Sequence, residues 1–381
     1  MKKIFFIAVF FINAFFVSAE MLSSSSYNFT IDLPEGFSPI DSNMRDRFLF
    51  SHSLLPCELQ ISFDPAEKFS DCKSAGENIF QQLKARHKDM QFLWCENNAQ
   101  LSTFEFQTNG NYSGWLLVLQ LENGWLTLTA YSKKEDAKRC EPLIISAFDS
   151  VYTSGASWYI PGPVTTCLYK RENPVRKTLT FNGTPIRFFI DKIDMEANKS
   201  VVDREFELLT HYLSTDAVIP AWKRYYKNIF RDAWTRLHSF SFEIKNALTH
   251  DRNMPNEQEI TAKVLAHVQN FNYVRDHQGA DFVDLVTACA TSTGDCDSRS
   301  LLMSVVLAQL GIKTVLFVSP EYSHAVCGIA ISGKGANMRV SNKDYLLAET
   351  TAHVPIGQIA ADIADPRKWF AVELYGLPSA F

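Results

Sequence analysis

The sequence predicts an α+β protein, in which an N-terminal domain of antiparallel strands and helices precedes a second α+β domain. In the first half, short alternating runs typical of strands are mixed with two helix-type segments, and Asn123-Gly124 between two apolar runs predicts a hairpin. In the second half, long segments with helical spacing lead into short apolar runs separated by polar turns. The length of 381 residues fits two or three domains at roughly 150 residues each.

The composition is that of a globular protein, with 46% hydrophobic and 21% charged residues. The net charge of -5 argues against nucleic acid or an anionic membrane surface as the main partner. Residues 1–19 read as a signal peptide, because Lys2-Lys3 precedes an apolar run that ends in Val17-Ser18-Ala19. That run is shorter than the roughly 20 residues of a membrane span. We therefore expect an exported, periplasmic or secreted protein that has no stable membrane span after cleavage.

Disulfide bonds can form in an exported protein, and the positions of the cysteines show which bridges are possible. The first four cysteines lie in the N-terminal region and can form two bridges in any of three connectivities. The spacings are irregular and contain no Cys-x-x-Cys, so the sequence predicts no zinc or redox site, and no metal or organic cofactor is implied. The eight cysteines are Cys57, Cys72, Cys95, Cys140, Cys167, Cys289, Cys296 and Cys327.

The N-terminal domain is predicted at residues 20–152, the linker at 153–174, where Gly and Pro are frequent, and the second domain at 175–381. The order of elements in the first domain resembles that of PsbP-like domains. In the second domain, Asn182-Gly183 predicts another hairpin, and Asn256 followed by Glu259 predicts a helix start. The predicted strands span 28–33, 58–63, 100–106, 115–121 and 125–131, and the predicted helices span 78–86, 135–148, 204–213 and 221–249.

Cys296 is the first candidate for chemistry. It lies in Gly294-Asp295-Cys296-Asp297, directly before an apolar run that predicts a buried helix. In the first turn of a helix, free backbone N–H groups and the dipole lower the pKa of a thiol. Asp295 and Asp297 are expected to cap the helix, and their charge opposes thiolate formation. The alternative is that Cys296 is simply a small buried hydrophobic residue.

His324 and Glu349 are the candidate partners of this thiol. His324 opens a predicted strand at 324–331, and Glu349 ends another at 345–349. Two antiparallel strands can bring both side chains to one helix tip, where His324 accepts the thiol proton and Glu349 orients the imidazole. Asp344 and His353 lie close to Glu349 in sequence and leave that assignment open.

These features resemble the transglutaminase-like superfamily, whose catalytic core is related to papain, over about residues 257–360. The sequence departs from the family pattern in having Glu349 where Asp is commoner and Val326 where an aromatic residue is common. The matching motifs are Val268-Gln269-Asn270-Phe271-Asn272-Tyr273, Gly294-Asp295-Cys296, Gly311-Ile312, His324-Ala325-Val326 and Glu349-Thr350-Thr351.

The resemblance implies a cysteine-type peptidase, amidase or transglutaminase with a Cys296–His324–Glu349 triad and a thioester intermediate. Its substrate would be an extracytoplasmic protein or peptide. Gln269, Tyr273 and Asp295 are candidates to line the site or to stabilise an oxyanion, and core packing is the alternative for Gln269 and Tyr273. Two other functions remain open, namely an inactive scaffold that binds extracytoplasmic proteins and a disulfide-linked structural protein.

Overall fold

The computed structural model describes residues 21–24, 27–43, 46–249, 255–275 and 280–374. Within these ranges the protein mixes helices with antiparallel sheets, in agreement with the predicted class. The predicted signal peptide lies outside the described residues. Among the helices in the described ranges, none combines the length and the apolar character that a membrane crossing requires.

The first half of the chain is built on a seven-stranded antiparallel sheet. Its strands are ordered β3-β4-β5-β9-β8-β7-β6, and a small sheet, β1-β2-β10, lies beside it. The elements are β1 Met21–Ser24, β2 Phe29–Asp32, β3 Phe37–Ser42, β4 Arg47–His52, β5 Cys57–Pro65, α1 Cys72–Leu83, β6 Arg86–Trp94, β7 Asn97–Gln107, β8 Asn111–Leu121, β9 Gly124–Lys133, α2 Ala137–Asp149 and β10 Val151–Tyr152.

The predicted hairpin at Asn123-Gly124 is confirmed as β8 and β9, with Leu121 paired to Gly124. The predicted start of α1 was wrong by six residues. The helix begins at Cys72 because Asp71 caps it, accepting a hydrogen bond from the backbone of Ser74. Strands β1, β3, β4, β6 and β10 were not predicted from the sequence. The edge strands β3 and β6 are too exposed to show clear alternation.

The second half contains a two-stranded ribbon, β11-β12, and a five-stranded antiparallel sheet ordered β15-β16-β14-β13-β17. Helix α9 packs on β14 and β13 and is buried on nearly all sides. The elements are α3 Pro163–Leu168, β11 Val175–Phe181, β12 Thr184–Ile190, α4 Lys192–Thr210, α5 Val218–Arg236, α6 His238–Thr249, α7 Glu257–Gln269, α8 Leu285–Thr291, α9 Cys296–Gln309, β13 Thr314–Ser319, β14 His324–Ile329, β15 Asn337–Val340, β16 Lys343–Ala348 and β17 Phe370–Glu373.

The long helix predicted at 221–249 is two helices, α5 and α6, with a break at Leu237. The two pack in different directions, which a continuous helix cannot do: α5 lies against α4 and α9, and α6 lies against β12. The helix predicted at 204–213 begins earlier, at Lys192, because Asp191 provides its cap. The predicted start after Asn256 is confirmed, with the Asn256 side chain accepting from Glu259 N–H at 2.9 Å.

The segment predicted as a linker, 153–174, is packed between the two halves. Its Ile160 carbonyl accepts a hydrogen bond from the buried guanidinium of Arg231 at 3.1 Å. The same guanidinium donates to the carbonyls of Asp149 and Val151 at 2.5 and 2.7 Å. The side chain of Arg231, on α5 in the second half, thereby binds the backbone at the end of the N-terminal half and the segment that follows it.

The disulfides that the cysteine count allows are not formed. All eight cysteines lie in the described ranges, and each is a free thiol. Cys72 belongs to the apolar cluster that α1 covers on one side of the sheet, whereas Cys57 and Cys140 belong to the main core on the other side. The sheet therefore separates Cys72 from the other two, which rules out the connectivities that pair it with either of them.

His267 supports a prediction about acid stability. Its ring is 7% exposed among Phe181, Phe240 and Phe271, and its Nε2 has no hydrogen-bond partner in the described ranges. Burial lowers the pKa of His267 to about 4. The unfolded chain takes up this proton near pH 6.5, so stability falls as the pH drops from there towards 4, by up to about 3 kcal/mol. Urea unfolding of the wild type and of His267→Phe between pH 6.5 and 4 measures this loss. If the free energy of unfolding depends on pH in the same way in both proteins, the prediction is contradicted.

Candidate functional site

Cys296 is placed by the start of α9. Asp295 caps this helix, and its Oδ1 accepts hydrogen bonds from the backbone N–H and the hydroxyl of Ser298 at 2.8 and 2.7 Å. Cys296 is therefore the first residue of the helix, as predicted, and its side chain is 7% exposed. The helix ends near Gly311, whose φ of +88° is one that glycine adopts without strain.

The thiol of Cys296 is held in its protonated form. Its Sγ donates to Asp297 Oδ1 at 3.1 Å, and the hydroxyl of Tyr226 on α5 donates to Asp297 Oδ2. Burial raises the pKa of Cys296 strongly, and the charges of Asp297 and Asp295 raise it further. This contradicts the predicted lowering of the thiol pKa, because desolvation and two carboxylates outweigh the helix N-terminus.

His324 and Glu349 form an ion pair. His324 Nε2 lies 2.7 Å from Glu349 Oε2, and Glu349 Oε1 accepts from the backbone N–H and hydroxyl of Thr351 at 2.8 and 2.6 Å. Burial alone would lower the pKa of His324, but the hydrogen bond and charge of Glu349 raise it overall. Burial likewise acts to raise the pKa of Glu349, yet His324 and Thr351 lower it overall. Both shifts favour the charged pair.

Sheet pairing explains why these two residues meet. Strand β16, which precedes Glu349, pairs antiparallel with β14, which begins at His324. The strands are neighbours in the sheet although β15 separates them in the chain. Asp344, the alternative acid, is exposed and forms an ion pair with Arg339 at 3.8 Å instead.

A backbone contact brings the pair to the thiol. The backbone of Ala325, which directly follows His324, acts to lower the pKa of the Cys296 thiol, against the larger effects of burial and of the two carboxylates. On the same strand, the Ala325 carbonyl accepts from the hydroxyl of Ser300 on α9 at 3.3 Å. The structure thus gathers Cys296, His324 and Glu349 around the first turn of α9, with the thiol hydrogen directed to Asp297.

The remaining candidates divide into different roles. Gln269 donates both amide hydrogens to the carbonyls of Glu349 and Val354, each at 2.9 Å, so neither is free for an oxyanion in this structure. Tyr273 is 55% exposed, and the partial burial of its ring raises the pKa of its hydroxyl. Asp295 serves as the helix cap, and burial followed by the charge of Asp297 raises its pKa to about 7.

Three residues of the site were not singled out from the sequence. Tyr226, whose hydroxyl donates to Asp297, lies within the helix predicted at 221–249, where its spacing indicates only core packing. Trp369 lies edge-on to His324 with ring centroids 6.2 Å apart, and it comes from the short segment before β17. Arg299 gave only a weak signal, as a charged residue inside an otherwise apolar helix.

Arg299 connects the loops that carry the site. Its buried guanidinium donates to the carbonyls of Gly294, Phe271 and Thr350 at 2.9, 2.8 and 3.2 Å. Gly294 leads to the thiol, and Thr350 follows the acid. The ring of Tyr273 lies over the same guanidinium at 5.5 Å. One side chain therefore fixes the thiol loop against the acid loop.

We expect Arg299→Lys to loosen the contact between the thiol loop and the acid loop. A lysine ammonium cannot span three carbonyls in a plane, so the free energy of unfolding should fall by about 2–4 kcal/mol. Arg231→Lys is the matched control, because Arg231 also donates to three backbone carbonyls. Both variants should lose stability, but only Arg299→Lys should change the alkylation rate of Cys296 under conditions where both remain folded. If Cys296 is alkylated at the same rate in both variants, Arg299 does not position the thiol loop.

No family model and no curated protein matches this sequence. Among solved structures, cyanobacterial PsbP (CyanoP) from Synechocystis gives a TM-score of 0.31 at 8% identity, covering 35% of this chain and 92% of that one. A candidate protease from Parabacteroides distasonis gives 0.25 at 10% identity, covering 87% of this chain and 67% of that one. A Bacteroides thetaiotaomicron protein gives 0.27 at 12%, covering 57% and 78%. TM-scores this low identify neither a family nor a function.

Proposed function

We propose that this chain is an exported cysteine hydrolase or acyltransferase with a transglutaminase-like core in its second half. Cys296 is the nucleophile, His324 the general base and then the general acid, and Glu349 the residue that orients the imidazole. The observation that carries the proposal is the 2.7 Å contact between His324 Nε2 and Glu349 Oε2, on the sheet against which the helix that begins at Cys296 packs.

The chemistry begins with a proton transfer, because the resting thiol is protonated. The base is the neutral imidazole of His324, which is present once the pH exceeds the raised pKa of that residue. On substrate binding, the thiol proton passes to this neutral imidazole, and the sulfur attacks the carbonyl carbon of an amide. The imidazolium then protonates the leaving amine as the C–N bond breaks, which leaves a thioester on Cys296. Water or a second amine attacks this thioester, giving up its proton to His324 and restoring the thiol. Backbone N–H groups at the start of α9 are suited to stabilise the oxyanion.

The proposed substrate is an extracytoplasmic protein or peptide. This follows from the predicted signal peptide and from the amide chemistry of the thioester route. The N-terminal half, which has the strand and helix order of PsbP-like domains, is proposed to bind that substrate or another envelope component. The reaction uses protein side chains, the amide substrate and either water or a second amine.

A specific observation favours a second candidate. The hydrogen bond from Cys296 to Asp297, with the strongly raised thiol pKa, is what an inactive scaffold with a retained triad would have. In that case the chain is an extracytoplasmic interaction protein, and the His324–Glu349 pair serves only stability.

Incubation with peptides and an amine donor distinguishes the two candidates. The mature protein is mixed with a library of peptides containing glutamine and asparagine, together with a biotin-labelled primary amine, and products are followed by mass spectrometry. The enzyme should release shorter peptides, deamidated peptides or amine conjugates, and Cys296→Ala should abolish them. Identical product profiles for the wild type and Cys296→Ala would overturn the enzyme in favour of the scaffold.

A further inference from the structure

A second group of ligand-type side chains lies at the β6 edge of the seven-stranded sheet. Glu77 projects from α1, and His87 and Asp89 project from the same side of β6. One nitrogen or oxygen atom from each of the three lies within 4.8 Å of the others. The three side chains are 37%, 22% and 22% exposed, so the group is open to water but partly enclosed.

The imidazole of His87 is held in a fixed orientation. Its ring stacks on the buried ring of Phe80 with centroids 3.9 Å apart and an angle of 11° between planes. Asp89 Oδ1 lies 2.9 Å from Nδ1. The carboxylate accepts the Nδ1–H hydrogen, so in the neutral ring the lone pair is on Nε2. A carboxylate that orients a histidine in this way is typical of the residues behind metal ligands.

The Nε2 atom of His87, which carries the lone pair, lies near the carboxylate of Glu77. His87 Nε2 and Glu77 Oε1 are 3.6 Å apart, which is too long for a hydrogen bond. Zinc binds nitrogen and oxygen at about 2.0–2.2 Å, and two such bonds at a tetrahedral angle separate the ligand atoms by roughly 3.4 Å. The distance between His87 Nε2 and Glu77 Oε1 therefore matches the separation of two ligand atoms that bind the same zinc ion.

We propose that Glu77 and His87 bind a divalent transition-metal ion of the zinc type, with water completing its coordination and Asp89 positioning His87. The mixed nitrogen and oxygen ligands favour zinc over calcium or magnesium, which prefer oxygen alone. Glu77 comes from α1 and His87 from β6, so the bound ion joins the helix to the edge strand. This site is separate from the proposed function and stands without it.

Calorimetric titration of the mature protein with zinc chloride tests the proposal. Saturable binding of one ion is expected, with no heat of binding for magnesium chloride. His87→Ala and Glu77→Gln should abolish binding, and Asp89→Asn should weaken it by about 10- to 100-fold. His211→Ala is the matched control, since His211 is also half-buried near a carboxylate, that of Glu207, and should leave binding unchanged.

Glu77→Gln keeps the result interpretable if His87→Ala is poorly folded, because Glu77 is half-exposed and leaves the stacked ring in place. Zinc binding that disappears in Glu77→Gln and persists in His211→Ala establishes the site. Absence of saturable zinc binding to the wild type, or equal binding by the wild type and both ligand variants, overturns it.

Discussion

Asp297→Asn should increase the rate of Cys296 alkylation at neutral pH by about 10- to 100-fold. The carboxylate accepts the thiol hydrogen at 3.1 Å and helps to hold the pKa of Cys296 far above its ordinary range. Replacing it with a neutral amide removes the like charge that opposes the thiolate, and one or two pKa units correspond to this rate change. Iodoacetamide labelling between pH 6 and 9, read at each cysteine by mass spectrometry, gives the rates.

Two controls separate charge from general disruption. Tyr226→Phe removes the hydroxyl that donates to Asp297 but keeps the carboxylate, so it should not accelerate labelling. Asp344→Asn removes an exposed carboxylate on β16 and should have no effect. If iodoacetamide labels Cys296 no faster in Asp297→Asn than in these controls, the carboxylate of Asp297 does not raise the pKa of the thiol.

Glu349→Gln should destabilise the protein by about 3 kcal/mol, because it leaves the half-buried imidazolium of His324 without its counter-charge. The effect depends on pH in a defined direction. The lowered pKa of Glu349 gives stability that is present above pH 4.5 and lost on acidification. The raised pKa of His324 gives stability that is present below pH 6.5 and lost as the pH rises through its folded value. The difference between the variant and the wild type should therefore be largest between about pH 4.5 and 6.5.

Urea unfolding at pH 4, 5.5 and 8 measures this dependence, and the NMR titration of His324 should give a lower pKa in the variant. Asp365→Asn breaks a comparable ion pair with Arg367 on the surface and should change stability little at any of these pH values. A pH-independent loss in Glu349→Gln would mean that packing, and not the ion pair, holds the acid loop.

Much of the site could be predicted because its signals are local. Gly294-Asp295 before an apolar run predicts a capped helix start, and the side chain of Asp295 forms that cap. An antiparallel arrangement of neighbouring strands was enough to bring His324 to Glu349. The hairpins at Asn123-Gly124 and Asn182-Gly183 were equally readable, because the turn residues set the register.

What could not be predicted depends on contacts across the fold. The raised pKa of the Cys296 thiol results from its burial and from the orientation of Asp297, which is hydrogen-bonded by Tyr226, 71 residues away in the sequence. Arg299 reads as an isolated charge until the three loops that it joins are in place. The helix break at Leu237 is likewise set by packing against β12, since the apolar spacing continues through it.

The central claim is that Cys296 is a nucleophile that passes its proton to His324. The most direct test is acylation by p-nitrophenyl acetate, read as p-nitrophenolate release and as an acetyl group on the peptide that contains Cys296. We expect an acetyl thioester on Cys296 in the wild type, its absence in Cys296→Ala, and at least about tenfold slower formation in His324→Ala. Acetylation of other residues alone, or an equal rate at Cys296 in His324→Ala, would contradict it.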